Sequence, residues 1–453
     1  MHTVLHITPH LGGGVGKVLL NYLGKVSTAP VFSHRVLSLE YANENALRAS
    51  RQAGFYLADK MSDNHPGIAA EISKADIVLV HWWNHPLLYD LLVRKTLPPS
   101  RIVFWSHISG FHAPYVFSKP ALSYPDLFVF TSPLSLETRE VGMLPEIRRK
   151  ALRTIWSTGG IAHAVSLTHK PHQGFKVGYI GTVDYGKLHP EFLKMCGMID
   201  IPQVQFIVCG GPSEKQLRKE AALQGLGGKC LFTGHVEDVA EYIPEFDVFG
   251  YPLAPYHYGT CEQSLCESMA AGIPPVVLAN RTESYIVEDG VTGIVAKDGT
   301  AYARGIEKLF KKPELRLKMS ENARESARRR FSLERMQRDW DAVFNEALSF
   351  PKTARQWTGR YKGEHVSPHQ LFLESLGKHG DCFALSMNAR TESEKAVAEA
   401  EIQKLLGSSH LWRAATRGTP RHYFRFFPYD AYLSLWSSYS KEDVMADSER
   451  QVQ

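Results

Sequence analysis

The sequence predicts an α/β protein made of two doubly wound, Rossmann-like domains followed by a C-terminal appendage. Three observations predict it. Residues 3–8, TVLHIT, read as a strand that runs into Gly12, Gly13 and Gly14 and then into the helical pattern KVLLNYLGKV. The same strand, loop and helix order restarts near Phe175. Short β-branched and aromatic runs alternate with helical segments throughout, which implies parallel sheets with right-handed crossovers.

Taken in order, further strands of the first domain are expected at 34–39, 54–58, 77–81, 102–105, 127–130 and 154–156. The segment 164–174, AVSLTHKPHQG, is polar and aperiodic, contains Pro and Gly, and reads as a linker with a hinge near residue 170. In the second domain, 176–180 is a strand followed by the turn-rich loop 181–186 and a helix from Lys187 to Ile199. Strands at 205–209, 230–233, 247–251 and 275–278 follow, then a turn and strand in GVTGIVA. Helices fill 298–348, with Pro313 starting one of them. The last hundred residues differ. Pro351–Pro368 is polar and basic, 391–406 reads as an amphipathic helix, and RHYFRFFPYDAYLSLW is densely aromatic. Such a run is expected to pack on the body of the protein. A dimer surface or a membrane surface is the alternative, with Arg328, Arg329, Arg330, Arg335 and Arg338 as the neighbouring basic stretch.

Bulk properties narrow the function. A chain of 453 residues is long for one core and suits two or three domains. Lys plus Arg number 52 against 47 Asp plus Glu, and a net +5 over this length does not suggest nucleic acid as the main partner. Cys196, Cys209, Cys230, Cys261, Cys266 and Cys382 have no C-x-x-C spacing, which fits a reducing compartment. The chain opens directly on a strand and has no apolar stretch near the ~20 residues that span a bilayer. A cytoplasmic protein is expected, with peripheral attachment at the inner face of a membrane left open.

The segment Gly259–Val277, GTCEQSLCESMAAGIPPVV, is the most informative. It reads as a loop, a short helix carrying Glu267, a stop at Pro274 and Pro275, and a buried strand. Such a joint lies where α/β sheets place ligands, and a carboxylate there suits the paired hydroxyls of a ribose. Gly12, Gly13 and Gly14 before a helix let backbone N–H groups approach a diphosphate. They read equally as an ordinary glycine turn. Lys187, beyond the second domain's first strand, can act on a diphosphate as a point charge, or be a solvated helix residue. His107, just past a strand, is a candidate ligand contact or a strand-end cap. His81, His10 and His112 are weaker ones.

Four pieces in order, GGGVGK, WSHISG, GYIGTVDYGK and ESMAAGIPPVV, make residues 1–349 similar to the family-4 retaining glycosyltransferases, whose fold is GT-B. The resemblance implies two facing Rossmann-like domains: 1–165 for the acceptor and 175–349 for a nucleotide-sugar donor, with 350–453 as an appendage. It also implies that the helix Leu333–Leu348 crosses back to the first domain. The donor would be a UDP-, GDP- or ADP-sugar and the acceptor a glycan or lipid-linked hydroxyl, as in polysaccharide or glycolipid synthesis. Transfer would retain the anomeric configuration, with no cofactor and no metal. Carried over residue by residue, His107 lies beside the transferred sugar, Lys187 meets the diphosphate and Glu267 holds the ribose. Gly13, Gly14, Gly181, Thr182, Gly210, Val236, Thr260, Cys261 and Glu262 complete the donor contacts, and Glu262 joins His107, Lys187 and Glu267 in the catalytic set.

Two positions depart from the family pattern. The arginine usual in the loop 182–186 is missing, and Gly259 stands where the first of a pair of glutamates is expected. The shift of three residues means that Glu262 does not simply inherit that role. Other readings remain open: a nucleotide-sugar epimerase of the same fold, a non-catalytic binding or scaffold protein, or a nicotinamide dehydrogenase using Glu40 as its ribose acid. A homo-oligomer is likewise open.

Overall fold

The structure, a computed structural model, describes residues 1–28 and 30–440. Its first sheet contains β1 (Thr3–Leu11), β2 (Ser33–Ala42), β3 (Tyr56–Ala58), β4 (Ile77–Trp82), β5 (Ile102–Ser106), β6 (Leu127–Phe130) and β7 (Leu152–Thr154), in the order β7-β6-β5-β4-β1-β2-β3. The second contains β8 (Phe175–Ile180), β9 (Val204–Cys209), β10 (Cys230–Gly234), β11 (Val248–Tyr251), β12 (Pro275–Leu278) and β13 (Ile294–Ala296), in the order β10-β9-β8-β11-β12-β13. Neighbours pair in parallel in both. Helices cover both faces of such a sheet, which is why β4, β5, β6, β11 and β12 are buried along their whole length. The strand order reverses between β1 and β4 and again between β8 and β11. Each reversal opens a crevice beyond the carboxyl ends of the strands.

The chain divides into two compact units, 1–159 with 336–440, and 160–335. The division falls at 159/160, not near 170, because the polar segment read as a linker is tied into the second unit. There Lys170 N–H donates to Pro244 O at 2.8 Å. The chain joins the first unit again within the helix Leu333–Leu348. From that helix Trp340 packs on Trp105 with ring centroids 4.8 Å apart, and Phe344 packs on Phe32 at 5.2 Å.

Residues beyond 350 also build onto the first unit. Thr353–Arg355 pairs antiparallel with Leu97–Ser100, and Asn84 Nδ2 donates to Ser375 O at 2.8 Å. The aromatic run becomes two helices, Pro420–Phe426 and Ala431–Ser438. Asp430 caps the second by accepting from Leu433 N–H at 3.0 Å. Tyr423 and Trp436 are fully buried, so the run packs on the body of the unit as its composition suggested.

One element is shorter than its sequence pattern. The helix expected over 187–199 is confined to Phe192–Gly197. Asp184 O accepts from both Lys187 and Leu188 N–H, closing a turn, and Pro190 disfavours a helical residue before it. Among the described residues no helix is long and apolar enough to cross a membrane.

Candidate functional site

In the second unit the site grows from the ends of β8 and β11. Asp184 fixes the turn after β8, its Oδ1 accepting from Lys187 N–H at 3.0 Å. Lys187 Nζ lies 2.8 Å from Glu262 Oε2, and Tyr251, the last residue of β11, donates its hydroxyl to the same oxygen at 2.7 Å. Burial alone would raise the Glu262 carboxyl. Lys187 and His257, with hydrogen bonds from Lys187 and Tyr251, outweigh it and hold the group below its usual value. His257 accepts from Gly259 N–H at Nδ1 (3.0 Å) and faces Glu283 with Nε2, 3.1 Å from Oε1. Burial pushes His257 down, and the Glu283 and Glu262 carboxylates more than reverse it. With Nδ1 accepting from Gly259 N–H, the ring carries a proton on Nε2, towards Glu283.

Gly259 explains the departure seen in the sequence. A side chain there would collide with Glu262 Oε1. The Glu262 carboxylate therefore occupies the space that a residue-259 side chain would take, three residues along the chain but in the same pocket. The loop is held further by Thr282 Oγ1, which donates to Gly259 O at 3.2 Å, and by Tyr258, whose hydroxyl is 3.3 Å from Thr182 Oγ1.

Glu267 lies buried in the helix Gln263–Ala270. One turn earlier, Gln263 Nε2 donates to Glu267 Oε1 at 2.8 Å, and His163 Nε2 is 3.5 Å from the same oxygen. The carboxylate is thus oriented before any ligand arrives. Gly210, after β9, has a φ of +139°, and a Cβ there would strike Gly181 O, so glycine is needed for these two loops to meet. Val236, Thr260 and Cys261 are half-buried.

Two groups of side chains could hold a cation by their geometry. One is His257, Glu262 and Glu283, all buried; the other is His169, His172 and Asp247, which is more exposed. In the first, the Lys187 ammonium already occupies one Glu262 oxygen.

In the first unit, Gly13 and Gly14 are exposed at the start of the helix Gly13–Val26. His107 follows β5, and its Nε2 is 3.1 Å from His81 Nδ1. Burial brings its pKa down to about 3, so the ring is neutral. Trp83 meets His107 edge-on at 5.9 Å and His10 at 5.4 Å. His10 stacks on Tyr41, and His112 lies apart, in a two-stranded turn with Tyr115. The tail reaches this edge. Arg425 Nη2 donates to Glu40 at 2.8 Å, and His422 meets His85 edge-on with centroids 4.8 Å apart.

Sequence reasoning named Gly181, Thr182, Lys187, Gly210, Thr260, Cys261, Glu262 and Glu267, and the second unit brings Lys187, Thr182 and Glu262 to one loop cluster. Glu267 stands on the helix that follows. Gly13, Gly14 and His107 belong to the first unit. Tyr251, His257, Glu283 and His163 were missed. His257 alone had a local signal, lying in the same loop as Glu262, whereas the others arrive from separate elements.

This architecture has relatives. Residues 168–326 match the glycosyl transferases group 1 family. A putative glycosyltransferase, EpsD, of Bacillus subtilis (strain 168) is 32% identical over 160 residues, which is 34% of this chain and 41% of that protein. The chain therefore spans less than half the length of this relative. Among solved structures, Anabaena HepE in complex with UDP and glucose superposes with a TM-score of 0.61 at 15% identity, over 76% of this chain and 100% of that one. A glycosyltransferase from Rickettsia africae ESF-5 gives 0.62 at 15% identity, over 77% and 99%. The chain resembles the GT-B glycosyltransferases and has their fold, with two Rossmann-like sheets.

Proposed function

We propose that the protein is a retaining glycosyltransferase that moves a sugar from a nucleoside-diphosphate donor to a hydroxyl acceptor. The observation that carries this reading is the buried Lys187–Glu262–Tyr251 cluster at the strand-order reversal of the unit that matches the family. The barrier in such a transfer is the separation of a diphosphate from an oxocarbenium-like carbon. Lys187 supplies a fixed positive charge for the leaving diphosphate, already desolvated and held by Asp184 and Glu262. Because that charge comes from the protein, the proposed reaction uses no metal. Glu267, pre-oriented by Gln263 and His163, accepts from the ribose hydroxyls. Gly181 and Gly210 bring backbone close to the phosphates. His107, neutral at physiological pH, hydrogen-bonds the transferred sugar without adding charge beside the developing cation. In the retaining course, the departing phosphate oxygen takes the acceptor's proton on the face that it leaves.

The test is a thermal-shift and calorimetric screen against UDP-, GDP- and ADP-sugars, followed by NMR of the product anomer with and without EDTA. We expect one nucleotide class to stabilise the protein and the anomer to be retained. Glu267→Ala should raise the donor Kd about tenfold, the loss of one or two charge-assisted hydrogen bonds. An unchanged Kd would remove Glu267 from the ribose. Isomerisation of the donor without any acceptor would replace transfer with epimerisation.

A further inference from the structure

Four histidines cross the first sheet in a single hydrogen-bonded file. His34 stands on β2, His6 on β1, His81 on β4 and His107 just after β5, and these four strands are consecutive neighbours. His6 Nε2 is 2.9 Å from His34 Nδ1, His6 Nδ1 is 3.1 Å from His81 Nε2, and His81 Nδ1 is 3.1 Å from His107 Nε2. The His81 and His107 rings are parallel within 2°. Tyr22, Trp105 and Phe344 pack against the file. Among the described residues, no carboxylate is paired with any of the four.

His6 and His81 are fully buried, while the end members keep a little surface. Burial holds all four below the ordinary histidine value, His34 at about 4 and His107 at about 3. The rings are therefore neutral, and each carries one N–H. Every contact joins an Nδ1 to an Nε2. All three hydrogen bonds form only when the four rings share one tautomer, all Nε2–H or all Nδ1–H. Any mixture sets two N–H groups or two lone pairs face to face inside the sheet and forfeits a buried hydrogen bond. The tautomer of His107 is thus tied to that of His34, three residues away along the file. In the Nε2–H register the free nitrogen of His107, Nδ1, is an acceptor. In the Nδ1–H register it is a donor.

We propose that His6, His34 and His81 are positioning residues whose hydrogen-bonded file fixes the ring orientation and the single tautomer that His107 presents to the transferred sugar. The role of the file rests on the reading of His107 as a sugar contact; the shared tautomer does not. A lone neutral imidazole at a ligand edge exchanges tautomers and offers a given sugar hydroxyl the wrong half of a hydrogen bond for part of the time. A file that must switch as a unit opposes that exchange, because His107 cannot change alone without forfeiting a buried hydrogen bond.

The test is long-range proton–nitrogen NMR on protein labelled with 15N-histidine, in which Nδ1 and Nε2 give distinct patterns for each tautomer. We expect four neutral rings of one tautomer. Two tautomers among the four, or a charged ring at neutral pH, would overturn the proposal. His6→Phe breaks the file in the middle and should leave His107 as a mixture, with donor Kd unchanged and kcat lower by about tenfold, the usual scale for losing an orienting partner. His6→Gln, which offers one donor and one acceptor, should restore most of the rate. Equal loss in both variants, or a single His107 tautomer in His6→Phe, would also overturn it. Should His6→Phe not fold, His81→Phe breaks the bond to His107 itself instead, with the same expected signature. The NMR arm needs no turnover. A protein with the uniform file and no transferase activity would sink the proposed function and leave the shared tautomer standing.

Discussion

At the carboxyl edge of the second sheet, Glu262 and Glu283 lie buried with Lys187, His257 and Tyr251 against them. In the first sheet, two imidazoles lie equally deep and two nearly so, and among the described residues none of the four has a carboxylate partner. The two regions solve the same problem, polar groups inside a low-dielectric sheet edge, by opposite means. The second keeps its charges and pairs them. The first abandons charge and satisfies neutral donors and acceptors in series. A paired charge is ready to be re-partnered by an anionic ligand, whereas a neutral file offers direction without charge.

The largest expected effect comes from breaking the pair. Lys187→Ala leaves the Glu262 carboxylate buried with only Tyr251 and His257, and removing one partner of a buried pair typically costs about 3–5 kcal/mol. We expect the unfolding free energy from denaturant titration to fall by that amount. The double variant Lys187→Met with Glu262→Gln should recover much of it, because neither charge is then stranded. A Lys187→Ala protein as stable as the parent would mean that Glu262 carries a proton, and the contrast between the regions would collapse.

Acid should separate the regions next. The histidines of the file are held below 6.5 in the folded protein, His34 at about 4. Above pH 6.5 they are neutral in both folded and unfolded chains, and their contribution is fully present. As pH falls from 6.5 towards 4, the unfolded chain takes up protons that the folded one refuses, and stability is lost. For His34 alone the full effect is on the order of 3 kcal/mol. Glu262, lowered from 4.5, contributes above that value and loses its contribution only as pH falls further, through its depressed folded pKa. Unfolding midpoints measured from pH 7.5 to 4 should therefore slope in the parent and slope less steeply in His34→Gln, which removes one of the four contributors. An equal slope in both would show that the file does not govern this window.

A smaller effect sharpens the paired side. Gly259→Ala pushes a methyl into the Glu262 carboxylate, and overpacking of this kind costs about 1–3 kcal/mol. Adding Glu262→Ala frees the space, so the double variant should be less destabilised than the sum of the two single ones. Strict additivity in a denaturation series would show that the two residues do not share a pocket.

Much of the scaffold was legible because it rests on local periodicity. The buried runs of β4, β5, β11 and β12 and the stops at Pro274 and Pro275 need no distant partner to be recognised. Lys187, Glu262 and Glu267 were legible as candidates because each lies at a strand end or on the following helix. Their pairing was not, since Glu262 reaches Lys187 across 75 residues of chain and enters the space above Gly259 only once the loop has folded. The file was hidden for the same reason. Bonded neighbours in the file, among His6, His34, His81 and His107, are 26 to 75 positions apart, and twenty histidines in the chain give no hint which four share a sheet face. The tail could be recognised as self-packing from its aromatic content, but its arrival at the edge that carries His10 and His85 follows from strand order and side-chain contact.

The least disruptive test lies at that edge, where the two strategies meet. Arg425, from the tail, pairs with Glu40 at 2.8 Å but is 56% exposed. Such a pair contributes at most about 1 kcal/mol, so Arg425→Ala should barely shift the unfolding midpoint. Its electrostatic consequence runs the other way from its stability effect. His85 accepts from Leu87 N–H at Nδ1 and faces Glu40 Oε2 with Nε2 at 3.6 Å. Burial, His10 and the Arg425 charge all press the His85 pKa down. Without Arg425, His85 is the group left facing Glu40, so the pKa values of His85 and His10 should rise in an NMR titration while those of the file, on which Arg425 does not act, stay put. A rise confined to this corner would show that the first unit keeps its imidazoles neutral by burial in the file but by a tail-supplied charge at the edge. No rise at His85 would mean that burial alone suffices there too, and that the tail contributes packing without tuning the edge.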